Sequence, residues 1–205
     1  MARRSDHTRE QIFDMAMAAA ERIVETEGYR ALTARSVAHA IGYSPGTLYN
    51  LFANLDEIVL HLNGRTLDRL YDRLVVAPYV GRPEADLLRL LDDYLAFLED
   101  HPHLWQVLFD YKWPKDRPRP LWYDQKVARV LGLIERSLTP LFPRQDEHRL
   151  ADVARILWAA LHGICSLADM GRLDVVSARP ARDMAGDLVR LLLAGLVAEP
   201  AAVPR

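Results

Sequence analysis

Residues 32–58 read LTARSVAHAIGYSPGTLYNLFANLDEI, and the fold is decided here. Thr33 supplies a hydroxyl cap for a short helix that carries Val37, Ala38 and Ile41. Gly42 breaks that helix. Ser44-Pro45 starts the next one, because a serine hydroxyl can accept an orphan N–H and proline at the first helical position loses none. Leu48 and Phe52 are its apolar residues. Asn54, with Glu57 three residues later, has the form of a capping box and opens a further helix. Short helices joined by a tight glycine turn have helix-turn-helix spacing.

The same periodicity continues on both sides. Upstream, Ile12, Phe13, Ala16, Ala20, Ile23 and Val24 form one apolar stripe, closed by Gly28. Downstream, the helix opened by Asn54 carries Ile58, Val59, Leu62, Thr66, Leu70 and Leu74. Pro78 to Pro83 break the pattern, and Leu87, Leu88, Leu91, Tyr94, Leu95 and Leu98 resume it until His101-Pro102. A short aromatic helix is expected over 104–111. The segment 113–120 holds Pro114, Pro118 and Pro120 and is expected to be loop. Further helices are predicted over 121–138, 147–170 and about 180–198. No segment holds a period of two. The chain therefore reads as all-α with about nine helices: a three-helix helix-turn-helix domain over 1–54 and a helical bundle over 55–205.

Composition removes several alternatives. Half of the 205 residues are hydrophobic and the net charge is only −2, which excludes disorder as the main state. A single cysteine, Cys165, excludes a disulfide framework and reads as an inert buried thiol. The longest apolar run, Leu191 to Ala198, is less than half of the ~20 residues a membrane span needs, so no membrane partner is expected. Ser5 to Glu10 is polar where a signal peptide would turn apolar, and a cytoplasmic location is expected. The overall charge gives no nucleic-acid signature, so a DNA-binding surface has to be local. From Gly28 to Leu55 the chain carries Arg30 and Arg35 and no acid.

On Thr33, Val37-Ala38, the turn Ile41-Gly42-Tyr43-Ser44, then Gly46-Thr47-Leu48-Tyr49 and Phe52, the chain resembles the tetracycline-repressor-type (TetR) family of bacterial transcription regulators. The DNA-binding residues implied are Thr33, Arg35, Tyr43, Ser44, Pro45, Gly46, Thr47, Tyr49 and Asn50. Their chemistry suits the task. Gly46 permits close approach, Thr47 offers a methyl and a hydroxyl to base edges, and Asn50 can pair with adenine or contact phosphate. Tyr49 sits where the family typically touches the backbone. Arg3, Arg4 and Arg9 could form a basic arm beside the groove. Two positions depart from the family pattern: Leu51 replaces a common His or Tyr, and Leu55 a common Lys. A surface that meets fewer phosphates predicts a shallower salt dependence, by ~0.9 for each phosphate left unmet.

The resemblance also implies that the bundle binds a ligand and dimerises. The string from Trp158 to Gly163 is similar to the WHG signature of one C-terminal subgroup. Leu157, Leu161, Ile164, Leu188, Leu191, Leu192 and Gly195 are the dimer-interface candidates, pairing with their two-fold mates as four helices. Such a dimer sets two recognition helices about 34–36 Å apart, on a near-palindromic site. The ligand-pocket candidates are Tyr94, Trp105, Phe109, Tyr111, Trp113, Trp122, Tyr123, Trp158 and His162. These side chains suit an apolar pocket between helices and ordinary core filling alike.

The function expected is a ligand-responsive regulator, a repressor that binds a double-stranded DNA operator as a homodimer and is released by a small, mostly apolar effector. No enzyme is expected, since there is no nucleophile elbow, phosphate-cradling glycine loop or Ser/His/Asp pattern. No cofactor is expected, and no metal. Glu99, Asp100, His101 and His103 are interrupted by Pro102, and His148 with Asp152, though one turn apart, lack an established metal spacing. The alternative is a helical small-molecule-binding or metal-dependent protein that has lost DNA binding, suggested by Leu51, Leu55 and the weak local charge.

Overall fold

Thr8 and Gln11 close the first helix with a reciprocal pair of hydrogen bonds: the Thr8 hydroxyl accepts from the Gln11 N–H at 3.2 Å, and the Gln11 side chain accepts from the Thr8 N–H at 2.7 Å. This starts α1 (Arg9–Glu27) in the computed structural model, which describes residues 7–114, 118–142 and 146–198. Thr33 caps α2 (Ala34–Ala40) by the same device, with Ser36 as its partner. Gly42 takes φ +74°, a conformation L side chains rarely adopt, and so turns the chain from α2 into α3 (Pro45–Tyr49). Ser44 caps α3 through the Thr47 N–H at 3.4 Å.

Asn54 opens α4 (Leu55–Val75) by accepting the Glu57 N–H at 3.0 Å. The Glu57 carboxylate does not close the expected box on Asn54. It accepts the N–H of Ala53, one residue earlier, at 2.5 Å. The remaining helices are α5 (Pro83–Asp100), α6 (Pro102–Asp110), α7 (Leu121–Leu138), α8 (Glu147–Asp169), α9 (Leu173–Val176) and α10 (Ala181–Ala198). Two differences from the sequence reading stand out. Pro102 occupies the first turn of α6, so that helix begins earlier than 104. And among the described residues there are ten α-helices: after Gly171 ends α8, the chain makes one more turn, α9, and buries Leu173.

The chain forms two compact units. The first comprises the described residues of Met1–Arg69 and Leu98–Lys126; the second comprises those of Leu70–Phe97 and Val127–Arg205. The divisions fall inside α4, α5 and α7, not at the end of the helix-turn-helix. The core of the first unit gathers Met17, Val24, Val37, Leu48, Phe52, Ile58, Leu62 and Leu104. Its α1 and α4 are tied by Arg65 to Asp14 at 2.5 Å and by Arg69 to Glu21 and Glu25. In the second unit α8 packs on α10 over Ala154, Leu157, Ala185, Val189 and Leu193. Arg182 pairs with Asp92 and Arg190 with Glu84, which holds α10 to α5.

Candidate nucleic-acid interface

The short helix α3 is held from behind and presented in front. Leu48 is fully buried, and Phe52, 1% exposed, stacks on Phe13 with ring centroids 5.1 Å apart. On the other face Pro45, Gly46, Tyr49 and Asn50 are exposed, with Tyr49 at 55%. Ser44, Thr47 and Tyr43 are half-buried, and Thr33 and Arg35 are exposed at the start of α2. The Thr47 hydroxyl lies 3.2 Å from that of Ser44. The nine expected DNA-binding residues therefore fall on α2, α3 and the turn between them, with no acid in the stretch.

Residues at and just ahead of the start of α1 brace this surface. His7 Nδ1 lies 2.9 Å from the Tyr43 hydroxyl, and the Arg9 guanidinium donates to the Asn50 carbonyl at 3.2 Å. No local signal in the sequence marks His7, because its partner is 36 residues away. Arg3 and Arg4 lie outside the described residues. Leu51 and Leu55 are half-buried and pack against the unit's core.

Behind this surface runs an aromatic series. The His61 ring meets Phe13 edge-on at 5.0 Å and stacks on Trp122 at 5.0 Å and 11°. Trp122 in turn covers Gly64, where an added Cβ would sit 2.7 Å from the ring. Burial lowers the His61 pKa below 6.5; Glu57 opposes this, while Arg65 and Lys126 reinforce it. The unfolded chain then binds more protons at this site than the folded one. Stability from His61 is present above about pH 6.5 and is lost as pH falls toward the lower folded value. Thermal melts from about pH 7.5 to 5.5 are expected to fall more steeply for the wild type than for His61→Gln. Parallel slopes would remove His61 as the cause.

The second unit contains an apolar cavity with about 50 Å³ of open volume. Its walls come from Leu74 of α4, Leu90 and Tyr94 of α5, Val130 and Leu133 of α7, Leu157, Trp158 and Leu161 of α8, and Val189 of α10. Of the nine aromatic and histidine pocket candidates, only Tyr94 and Trp158 line it. His162 stacks on Trp158 at 5.4 Å and 7°, with Nε2 3.2 Å from the Ser166 hydroxyl. Trp105 is buried against Phe109, Tyr111 meets Trp113 edge-on, and Tyr123 packs on Trp122. The aliphatic walls carry no signal in sequence that separates them from ordinary core.

The dimer candidates divide in the same way. Leu157 and Leu161 turn inward and line the cavity. Ile164, Leu188 and Leu192 are half-buried, while Leu191, 72% exposed, and Gly195 face outward. Ile156, 61% exposed, and Val197, 74% exposed, are further outward-facing apolar residues on these two helices. No group of three His, Cys, Asp or Glu able to hold a metal occurs among the described residues. His101 and His103 instead contact Glu25, at its carboxylate (3.0 Å) and its carbonyl (2.9 Å). Burial pushes the Cys165 thiol up to about 11, so it stays protonated at neutral pH.

A short helix set behind a glycine turn, anchored by one buried leucine and exposing small polar and aromatic residues, is the arrangement of helix-turn-helix DNA-binding proteins. Comparison with known proteins narrows this. Residues 16–62 match the model of the bacterial regulatory proteins of the tetR family, and residues 87–196 match the tetracyclin repressor-like C-terminal domain. The chain belongs to the TetR family of DNA-binding transcriptional regulators, whose members are not enzymes.

Solved structures share the fold. A TetR-family regulator from Streptomyces coelicolor is 20% identical, with 94% of this chain and 100% of that one covered and a TM-score of 0.67. A TetR regulator from Rhodococcus sp. RHA1 is 18% identical, with 93% and 99% covered and a TM-score of 0.68. The multidrug binding protein EbrR, solved in complex with ethidium, is 19% identical, with 90% and 98% covered and a TM-score of 0.59. No curated protein matches the chain.

Proposed function

We propose that this regulator is a ligand-responsive repressor, a homodimer that holds a near-palindromic operator through residues 33–54 and releases it when a small, mostly apolar molecule enters the second unit. The observation that carries the effector half of this reading is the cavity, whose walls are aliphatic and aromatic and include no ionisable acid or base other than the Tyr94 phenol. Trp158 and His162, stacked beside it, belong to the string that is similar to the WHG signature.

The dimer half rests on α8 and α10. α8 is apolar over most of its length, yet little of it is buried within the chain. Ile156 on α8 and Leu191 and Val197 on α10 add exposed apolar surface. Pairing with a second copy buries both helices at once and places two recognition helices about 34–36 Å apart, one turn of DNA. The 1–54 segment acts as the DNA-binding part and 55–205 as the effector and dimer part, with α4 passing from one compact unit into the other. An effector that binds better to the state with the wrong helix spacing shifts the population away from DNA, and operator DNA weakens effector binding by the same factor.

The test is a selection of bound duplexes from a random pool at fixed, near-physiological salt. The wild type is expected to enrich a near-palindrome. Thr47→Ala with Tyr49→Ala is expected to bind that duplex about tenfold or more weakly, since a base contact such as that of Thr47 contributes about 1–3 kcal/mol and the backbone contact of Tyr49 is lost with it. Equal binding by the double variant would take α3 out of the interface. Failure of the wild type to enrich anything, before and after unfolding and refolding to strip a carried ligand, would favour a bundle without DNA activity.

A further inference from the structure

Beside the apolar cavity lies a second depression of about 240 Å³, in the same unit. The two share three side chains, Leu74, Leu90 and Leu133, as a common wall. Their chemistry differs. The second depression carries two guanidinium groups, Arg89 from α5 and Arg136 from α7.

Neither arginine is fully used by the protein. Arg89 Nη1 donates to the Leu74 carbonyl at 3.2 Å and to Asp93 at 3.1 Å, but its Nε is buried without an acceptor among the described residues. A buried donor left unmet calls for a partner. The Arg136 guanidinium stacks over the Tyr79 ring at 4.6 Å and has no carboxylate within ion-pair distance among the described residues. The Tyr79 hydroxyl donates to the Arg136 carbonyl at 3.1 Å, which pins the α4–α5 loop to α7 and holds that ring in place. Asp93 offsets one of the two positive charges and leaves one. Asp86, whose carboxylate takes the Val80 N–H at 3.0 Å, does not line the depression.

We propose that the effector is an amphipathic anion: a single apolar chain that enters the cavity, and one carboxylate-type head group that sits on the Arg136 guanidinium in the adjoining depression. This rests on the reading of the cavity as the effector site and names the chemistry that site selects. Each depression alone falls below the roughly 300–1,000 Å³ of common ligand pockets. Joined across the shared leucine wall, the two would form a single site with an apolar end and a cationic end. Arginine suits the head because its planar fork matches a carboxylate with two parallel hydrogen bonds.

Calorimetric titration of the full-length protein with three ten-carbon probes tests this. Decanoate is expected to bind about tenfold or more tightly than 1-decanol, and decyltrimethylammonium more weakly than either. Arg136→Gln is expected to lower decanoate affinity about tenfold and leave decanol unchanged, while Arg136→Lys restores part of the loss. Arg136 is exposed, so the variants should fold; matching thermal melts confirm it. Decanol binding as well as decanoate, or Arg136→Gln leaving decanoate untouched, overturns the anionic head and leaves the apolar effector site standing. Failure of all three probes overturns both.

Discussion

A chain carrying Ile156→Asp and Leu191→Asp will sediment as a monomer of 23.3 kDa. Both side chains are apolar and largely exposed, and they stand on α8 and α10, which pack on each other. Water covers them in a single chain, so aspartate there leaves the fold of that chain nearly untouched. In a dimer built on these helices the same aspartates lose their water, and poorly paired buried charge is strongly unfavourable. DNA binding falls with the dimer. Two half-sites read by linked recognition helices gain about 10²–10⁴ over one, and that factor is what the monomer forgoes. Sedimentation and operator titration of the same variant read both effects. A variant that stays dimeric would move the interface to another face.

Phe52→Ala is the second large effect. Phe52 stacks on Phe13, lies 6.0 Å from the His61 ring, and sits three residues beyond the end of α3. Truncating a buried phenylalanine costs about 3–5 kcal/mol, partly for the forfeited transfer energy and partly for the cavity left behind. That is a large share of the roughly 5–15 kcal/mol that holds a typical domain together. Leu51→Ala, one residue earlier and half-buried, should cost less. Urea unfolding of the two variants, followed by helical signal, gives the comparison. Equal midpoints would mean that α3 is not anchored through Phe52.

The helix-turn-helix was legible because its signals are local. Thr33, Gly42, and Ser44-Pro45 each act within four residues, and each appears in the structure in the role its chemistry suggests. Leu48 and Phe52 were legible as core for the same reason: the cap positions fix the helix phase and so the buried face. The cavity was not legible. Apart from Tyr94 and Trp158 it is assembled from aliphatic residues, mostly leucines, on five helices, and nothing in the sequence separates a leucine facing a void from one facing another leucine. The aromatic residues drew attention instead, but Trp122 is committed to His61 and Gly64, and Trp105 to Phe109. The outward apolar face of α8 and α10 was half legible. α8 is apolar on more than one side, so periodicity marks the stripe without saying which edge turns outward: Leu157 faces in, while its neighbour Ile156 faces out. The extra turn α9 is too short for periodicity to register.

Gly64 and Trp122 also bear on how stiffly α4 behaves. A helix of 21 residues is a rod of roughly 30 Å, and tilting such a rod by about 5° displaces its far end by about 2.6 Å. On the effector reading proposed above, a change no bigger than one side-chain rotation, applied at Leu74, is enough if the rod does not bend. Its weakest point is its one glycine, the residue type that stiffens a helix least. The Trp122 ring is pressed against that point like a splint.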